Sequence, residues 1–293
     1  MAKLGNKGVL ALACVALLLL CTPFMVEIAK MTYSWYWERI WEETELHKQQ
    51  LERYTVSAAT WEAIPYYVVS LKRAKARRAA VAANLRAENV TFEFFDAVDG
   101  SLGLPQDKVD EYVGTRRQYN QRTAGDAPEL LAETGCALSH LLLMERAIAE
   151  NHEIVVHFED DAVIKPGFKA KFLQRLTQLP VDWDILYLFS CHLDKPYERF
   201  GRTVGSGIRV FRWGVCTNGF AYRQTGAAKL LHYMRTHQLD EAIDLAMARL
   251  STSRVFHSYL TDPQLVKRAR GPSFISSDRD IRTDRAHLDC PGC

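Results

Sequence analysis

The chain has 293 residues, 48% hydrophobic and 25% charged, a composition that excludes disorder for most of its length and allows one large domain or two small ones. Thirty-seven basic residues stand against 35 acidic ones, a formal net charge of +2, so charge gives no case for nucleic acid as a partner. Function must be read from a site.

In chain order, residues 8–26 carry no charged side chain and are rich in Leu, Ala and Val, about the length a bilayer-spanning helix needs. Lys3 and Lys7 precede this stretch and no small-x-small cleavage site follows, which favours an uncleaved signal anchor over a removed signal peptide. The positive-inside rule then predicts a cytosolic tail at 1–7 and a body on the far side, although Lys30 and Arg39 follow the span. The expectation is a single-pass type II membrane protein facing the Golgi or endoplasmic reticulum lumen, with a bacterial membrane the less favoured alternative. Tyr33, Trp35, Tyr36 and Trp37 suit an aromatic interface belt or a stripe packed on the body. Residues 27–59 read as a helical stalk, charged from Glu38 onward with Trp37, Ile40, Trp41 and Leu51 near helical spacing, and 60–293 as one domain.

Within that domain residues 65–71 form a β-branched and aromatic run that predicts a strand. Residues 72–88 predict a basic helix bearing Lys72, Arg73, Lys75, Arg77, Arg78 and Arg86, at least half of which must face solvent. A second strand over 90–95 runs into the loop signal Asp96-Ala97-Val98-Asp99-Gly100. A helix over 136–151, a strand over 153–158 and a buried strand over 184–189 follow. This alternation predicts a mainly parallel sheet covered by helices on both faces, with ligands beyond the carboxyl ends of the strands.

Of seven cysteines, Cys14 and Cys21 fall in the span and Cys136, Cys191, Cys216, Cys290 and Cys293 in the body, an odd number that cannot all pair within one chain. Cys290-Pro-Gly-Cys293 could close a small disulfide loop or pair outward. Asn89-Val90-Thr91 is a glycosylation sequon beside an apolar stretch.

The chemistry-bearing segment is Ile154-Val155-Val156-His157-Phe158-Glu159-Asp160-Asp161, with three consecutive carboxylates at the end of an apolar strand. Crowded like charges need positive compensation. Mg²⁺ or Mn²⁺ would supply it, since such ions prefer carboxylate, phosphate and water oxygens and commonly use one or two protein carboxylates plus a diphosphate. Glu159, Asp160 and Asp161 are therefore candidate metal ligands; the alternative is a solvated acidic turn.

The ordered set of motifs resembles glycosyltransferase family 25, which includes lipooligosaccharide and collagen galactosyltransferases. It runs from Val69-Ser70-Leu71-Lys72-Arg73 with Arg77, through Phe95-Asp96-Ala97-Val98-Asp99-Gly100, to Glu133-Thr134-Gly135-Cys136-Ala137-Leu138-Ser139-His140. Phe158-Glu159-Asp160-Asp161-Ala162, Asp184-Ile185-Leu186-Tyr187-Leu188, and Gly219-Phe220-Ala221-Tyr222 with Gly226-Ala227-Ala228-Lys229-Leu230-Leu231 follow. The closing Ser276-Ser277-Asp278-Arg279-Asp280-Ile281 carries an Arg279-Asp280 insertion relative to the family's Ser-Asp-Ile.

The resemblance implies a GT-A type nucleotide-sugar fold, inverting transfer, a UDP-sugar donor and galactose as the sugar, with a glycan or protein hydroxyl as acceptor. It implies a donor site drawn from Ser70, Arg73, Arg77, Asp96, Asp99, Gly100, Gly135, Ser139, His140, Asp160 and Gly219. Ser139 and His140 are expected to open the helix before the metal strand. Inversion in one displacement needs a base opposite the diphosphate. The family's acid after its Gly-Ala-Lys-Leu-Leu helix corresponds to Asp244 or Asp240, and spacing and the preceding Ile favour Asp244, although the flanking residues depart from Pro-Val-Asp. On a continuous helix the two acids would share a face. His257 is a further candidate ligand, with core packing the simpler role. The competing readings are a catalytically silent family member serving as a membrane adhesion module, and a metal-dependent hydrolase, for which a second ligand cluster is missing.

Overall fold

The computed structural model describes residues 53–57, 61–114, 127–191 and 203–269. The 8–26 span, most of the stalk, Cys290, Cys293 and the closing 276–281 motif lie outside them. No helix among the described residues is long and apolar enough to cross a membrane.

The run Tyr-Tyr-Val-Val-Ser forms β1 (Tyr66–Ser70), buried at all five positions, as expected of a strand covered on both faces. A crossover through α1 (Lys75–Ala87) leads to β2 (Glu93–Asp96), parallel to β1. After a 3₁₀ turn at Gly100–Leu102 come α2 (Gln106–Tyr112) and the long α3 (Ala127–Ala149). These deliver β3 (Ile154–Glu159), parallel to β1 on its other side. Next are β4 (Ala162–Ile164), α4 (Phe168–Leu176), β5 (Ile185–Tyr187), β6 (Thr203–Gly205) and β7 (Ile208–Val210). The chain continues with β8 (Gly219–Arg223), α5 (Gln224–His237), α6 (Ile243–Thr252), β9 (Ser258–Thr261) and β10 (Val266–Arg268).

The eight-stranded sheet has the order β2-β1-β3-β8-β5-β9-β7-β6, and β4 pairs with β10 in a separate ribbon. Only β8 and β7 oppose the other strands, so six of eight run in one sense in a mixed sheet. The chain leaves β1 for β2 on one side and returns to β3 on the other. This is a topological switch point, where open α/β sheets hold their ligands beyond the carboxyl ends of the strands.

Strand alternation sorts side chains between the two faces. Tyr67, Val69, Val155, Ile185, Tyr187, Phe220 and Tyr222 join the core built with α2, α3, α5 and α6. Tyr66 and Phe158 point the other way, onto Phe168 of α4, with ring centroids 6.4 and 5.7 Å apart.

Domain packing begins before residue 60. Tyr54, assigned to the stalk by sequence, is 6% exposed and meets the Trp183 ring edge-on at 5.8 Å. Arg53 donates to the carbonyls of Gln178 and Val204 at 2.7 Å each. The described residues all belong to a compact unit that begins at Arg53.

Candidate active site at the switch point

Ser70, at the end of β1, and Glu159-Asp160-Asp161, at the end of β3, flank the switch point. The three acids do not converge, because alternation sends neighbours to opposite sides. Glu159 continues the inward series of Val155 and His157 toward α3. Its Oε1 meets His140 Nε2 at 3.1 Å and accepts from Thr217 Oγ1 at 2.6 Å. Asp160 turns to the α1 side, where its Oδ2 accepts from Ser70 Oγ at 2.6 Å and its Oδ1 is paired with Arg77. The same Arg77 nitrogen lies 3.6 Å from Asp161 Oδ2, which also takes Arg268 Nε at 3.3 Å. Asn218 joins the two sides, donating to Asp161 and, at 3.4 Å, to Glu159.

Electrostatics follow from this packing. Burial and the Glu159 charge raise Asp161 above the usual carboxylate range. Asp160 is raised by burial and by Glu159, against the opposing effects of Ser70 and Arg77. Burial would raise Glu159 as well, but the hydrogen bond and charge of His140, Thr217 and Arg268 bring it below its ordinary value. The guanidinium nitrogen held between Asp160 and Asp161 shows that the two carboxylates together accommodate a cation, the property a divalent ion would use. Among the described residues the group whose ligand atoms gather closely is Cys136, His140 and Glu159 instead.

Ser139 and His140 lie in the middle of α3, not at its start, because the helix begins at Ala127. Ser139 Oγ accepts from the Val98 amide at 2.9 Å and donates to the Gly135 carbonyl at 2.5 Å, pinning the loop after β2 to α3. Gly100 and Gly135 serve the same junction. A Cβ on Gly100 would stand 2.2 Å from the Leu131 carbonyl oxygen, and one on Gly135 would stand 2.7 Å from that of Val98. Gly219 faces Phe158 in register and would press a Cβ against Val266 at 3.2 Å. These contacts give Ser139, Gly100, Gly135 and Gly219 each a packing role.

Asp96 and Asp99 sit just past β2. Arg78 donates to Asp96 at 2.7 Å and to the Ser70 carbonyl at 2.7 Å, and Lys72 pairs with Asp96 at 3.1 Å. Arg73 pairs with Asp99 at 2.5 Å, and Asp99 caps the 3₁₀ turn by accepting from the Ser101 amide. Its pKa is drawn down to about 2, first by Arg73 and then by Ser101 against some burial.

The two candidate bases separate. Asp244 lies in the first turn of α6, where Oδ2 accepts from the Cys216 amide at 3.0 Å and Oδ1 from that of Leu245 at 2.8 Å. Asp240 is in the preceding loop against Gly114, so the shared helix face expected from the spacing does not exist. Cys216, with φ +76°, is bonded to Cys191. Residues 216–218 thus tie Asp244 to Glu159 and Asp161. His257 is remote, paired with Asp182 at 2.6 Å ahead of β5.

Sequence reasoning missed Thr217, Asn218 and Arg268. Their position immediately before Gly219-Phe220 was the available signal for the first two; Arg268 reaches Asp161 from a distant strand. The disulfide partner of Cys216 had no sequence signal.

A mixed α/β sheet with paired acids and arginines at its switch point puts these side chains where open α/β sheets hold their ligands. The model of Glycosyltransferase family 25 (LPS biosynthesis protein) matches residues 63–247, and the chain belongs to that family. It is 32% identical over 173 residues to a "Glycosyltransferase 25 family member" of Aedes aegypti, a match covering 56% of this chain and 27% of that protein. It is 30% identical to a "Probable inactive glycosyltransferase 25 family member 3" of Rattus norvegicus, covering 59% and 30%. With "Procollagen galactosyltransferase 1-A" of Xenopus laevis the identity is 28%, covering 57% and 28%. The match therefore spans less than a third of each of these relatives.

Proposed function

We propose that this chain is a GT-A type inverting transferase that moves a sugar, galactose by family precedent, from a UDP-sugar to a hydroxyl of a glycan or protein acceptor. The observation that carries the reading is the single Arg77 nitrogen shared by Asp160 and Asp161 at the switch point. Asp160 and Asp161 would hold Mn²⁺ or Mg²⁺, with Glu159 behind them; the ion supplies Lewis-acid stabilisation of the departing diphosphate. Arg77 and Arg268 offer guanidinium groups to the diphosphate, a pairing favoured by their fork geometry. Ser70 orients Asp160, and the Arg73–Asp99 and Arg78–Asp96 pairs shape the nucleoside side. Asp244 takes the acceptor proton, positioned by its backbone donors Cys216 and Leu245.

The Cys191–Cys216 disulfide supports residence in an oxidising compartment such as the Golgi or endoplasmic reticulum lumen, with 8–26 as a type II membrane anchor. UDP release from a panel of UDP-sugars, with and without Mn²⁺, tests the proposal. Metal-dependent release with one sugar and an added acceptor supports it. No release with any donor supports the second reading, a silent binding module, which the rat relative's name favours.

A further inference from the structure

Cys136 and His140 are four residues apart on α3 and so share a helix face. Glu159 reaches the same point from the end of β3, and one ligand atom from each of the three lies within 4.8 Å of the others. His140 is fully buried, its Nε2 on Glu159 and its Nδ1 without a partner. Behind it His157 stacks at 4.5 Å with both ring nitrogens unpartnered. Cys136 is the free cysteine among the described residues, and both it and Glu159 retain partial exposure.

We propose that Cys136, His140 and Glu159 form a site for a thiophilic divalent cation of the zinc class, separate in ligand chemistry from the oxygen site at Asp160 and Asp161. One thiolate, one imidazole and one carboxylate make a mixed S, N, O set suited to zinc, whereas Mg²⁺ and Mn²⁺ favour oxygen. Three protein ligands would leave the fourth position of a tetrahedral ion open. Binding inserts the cation between His140 Nε2 and Glu159 Oε1; the proton those two atoms share moves to His140 Nδ1, and the Cys136 thiol gives its proton to solvent as its sulfur becomes a ligand. The cation then competes with Thr217 and Asn218 for Glu159, so occupancy disturbs the bridge from Asn218 to Asp161.

The test is a Co²⁺ titration of the full chain, read by the near-ultraviolet thiolate-to-cobalt charge-transfer band. The expected result is a band that saturates at one equivalent, is bleached by Zn²⁺ and survives excess Mg²⁺. It should be absent in Cys136→Ser and retained when Cys290 and Cys293 are both replaced by Ser. Glu159→Gln, at the partly exposed end of β3, should weaken Co²⁺ binding by at least about tenfold, a readout that remains if Cys136→Ser does not fold. No band in the unaltered chain, a band unchanged in Cys136→Ser or Glu159→Gln, loss with the terminal cysteines, or bleaching by Mg²⁺ each overturns the proposal. The band reports binding whether or not the chain transfers sugar.

Discussion

Removing residues 1–59 should destabilise the domain, whereas removing 1–52 should not. The difference is carried by Arg53 and Tyr54. Tyr54 is 6% exposed, packs edge-on to Trp183 at 5.8 Å, lies under the Arg223 guanidinium at 5.2 Å and hydrogen-bonds Glu153. Burying an aromatic side chain removes about 150–250 Å² from water, or about 4–6 kcal/mol at 25 cal/mol per Å² as an upper bound. Truncating a large buried aromatic side chain to Ala costs about 3–5 kcal/mol, and Tyr54→Ala belongs in that range. In a domain of this size each kcal/mol moves the midpoint by about 2–4 °C, so the expected fall is about 6–20 °C. Thermal unfolding of the two truncations and of Tyr54→Ala in the longer one measures it. Equal midpoints for all three would refute the reasoning and return the boundary to residue 60.

Asp161→Asn keeps volume but removes the carboxylate shared by Arg77, Arg268 and Asn218, so metal-dependent turnover should fall by orders of magnitude with the fold intact; UDP release and circular dichroism check both. Asp244→Asn should lower turnover by about 10²–10⁴ with little change in donor affinity, and Asp240→Asn should be mild; calorimetry beside transfer rates decides, and the reverse ranking would move the base. Replacing Cys191 and Cys216 with Ser opens a loop of separation 25 and should cost about 3.5 kcal/mol in denaturant titrations, with turnover also falling because residues 216–218 position Asp244, Glu159 and Asp161. Asp99, depressed to about 2, contributes stability that is complete above its unfolded pKa near ~3.9 and is lost as pH falls through about 2. The midpoint gap between Asp99→Asn and the unaltered chain should accordingly close as pH is lowered from about 5 to 2.

The strands of the core were legible because burial on both faces leaves a near-continuous apolar run, as at Tyr66–Ser70 and Ile154–Glu159, within a residue of the expected ends. The start of α3 was not. Nine residues before Cys136 already belong to the helix, but Glu129, Glu133 and Thr134 dilute the apolar period there. That misplacement turned Ser139 into an expected helix-opening residue, when its hydroxyl in fact bridges Gly135 and Val98 inside the core. The shared face of Asp240 and Asp244 is absent for a related reason: spacing of four has meaning only on one continuous helix, and the break before Ile243 removes that condition.

The acidic triplet shows where one-dimensional reading reaches its limit. Adjacency in sequence concentrates charge, but alternation at the end of a strand disperses it, sending Glu159 to His140 and Thr217 and Asp160 to Ser70 and Arg77. What reunites the acids is Asn218, contributed by the segment leading into β8, the strand that lies antiparallel to β3. A pairing between β3 and β8 brings Glu159 and Asn218 together across 59 positions, and the Asn218 carbonyl accepts the Glu159 amide at 3.1 Å to hold that register. The site is therefore a product of sheet order. Changing Asn218 should disturb Glu159 and Asp161 together, whereas changing Ser70 should disturb Asp160 first, a separation that the run of three acids does not disclose by itself.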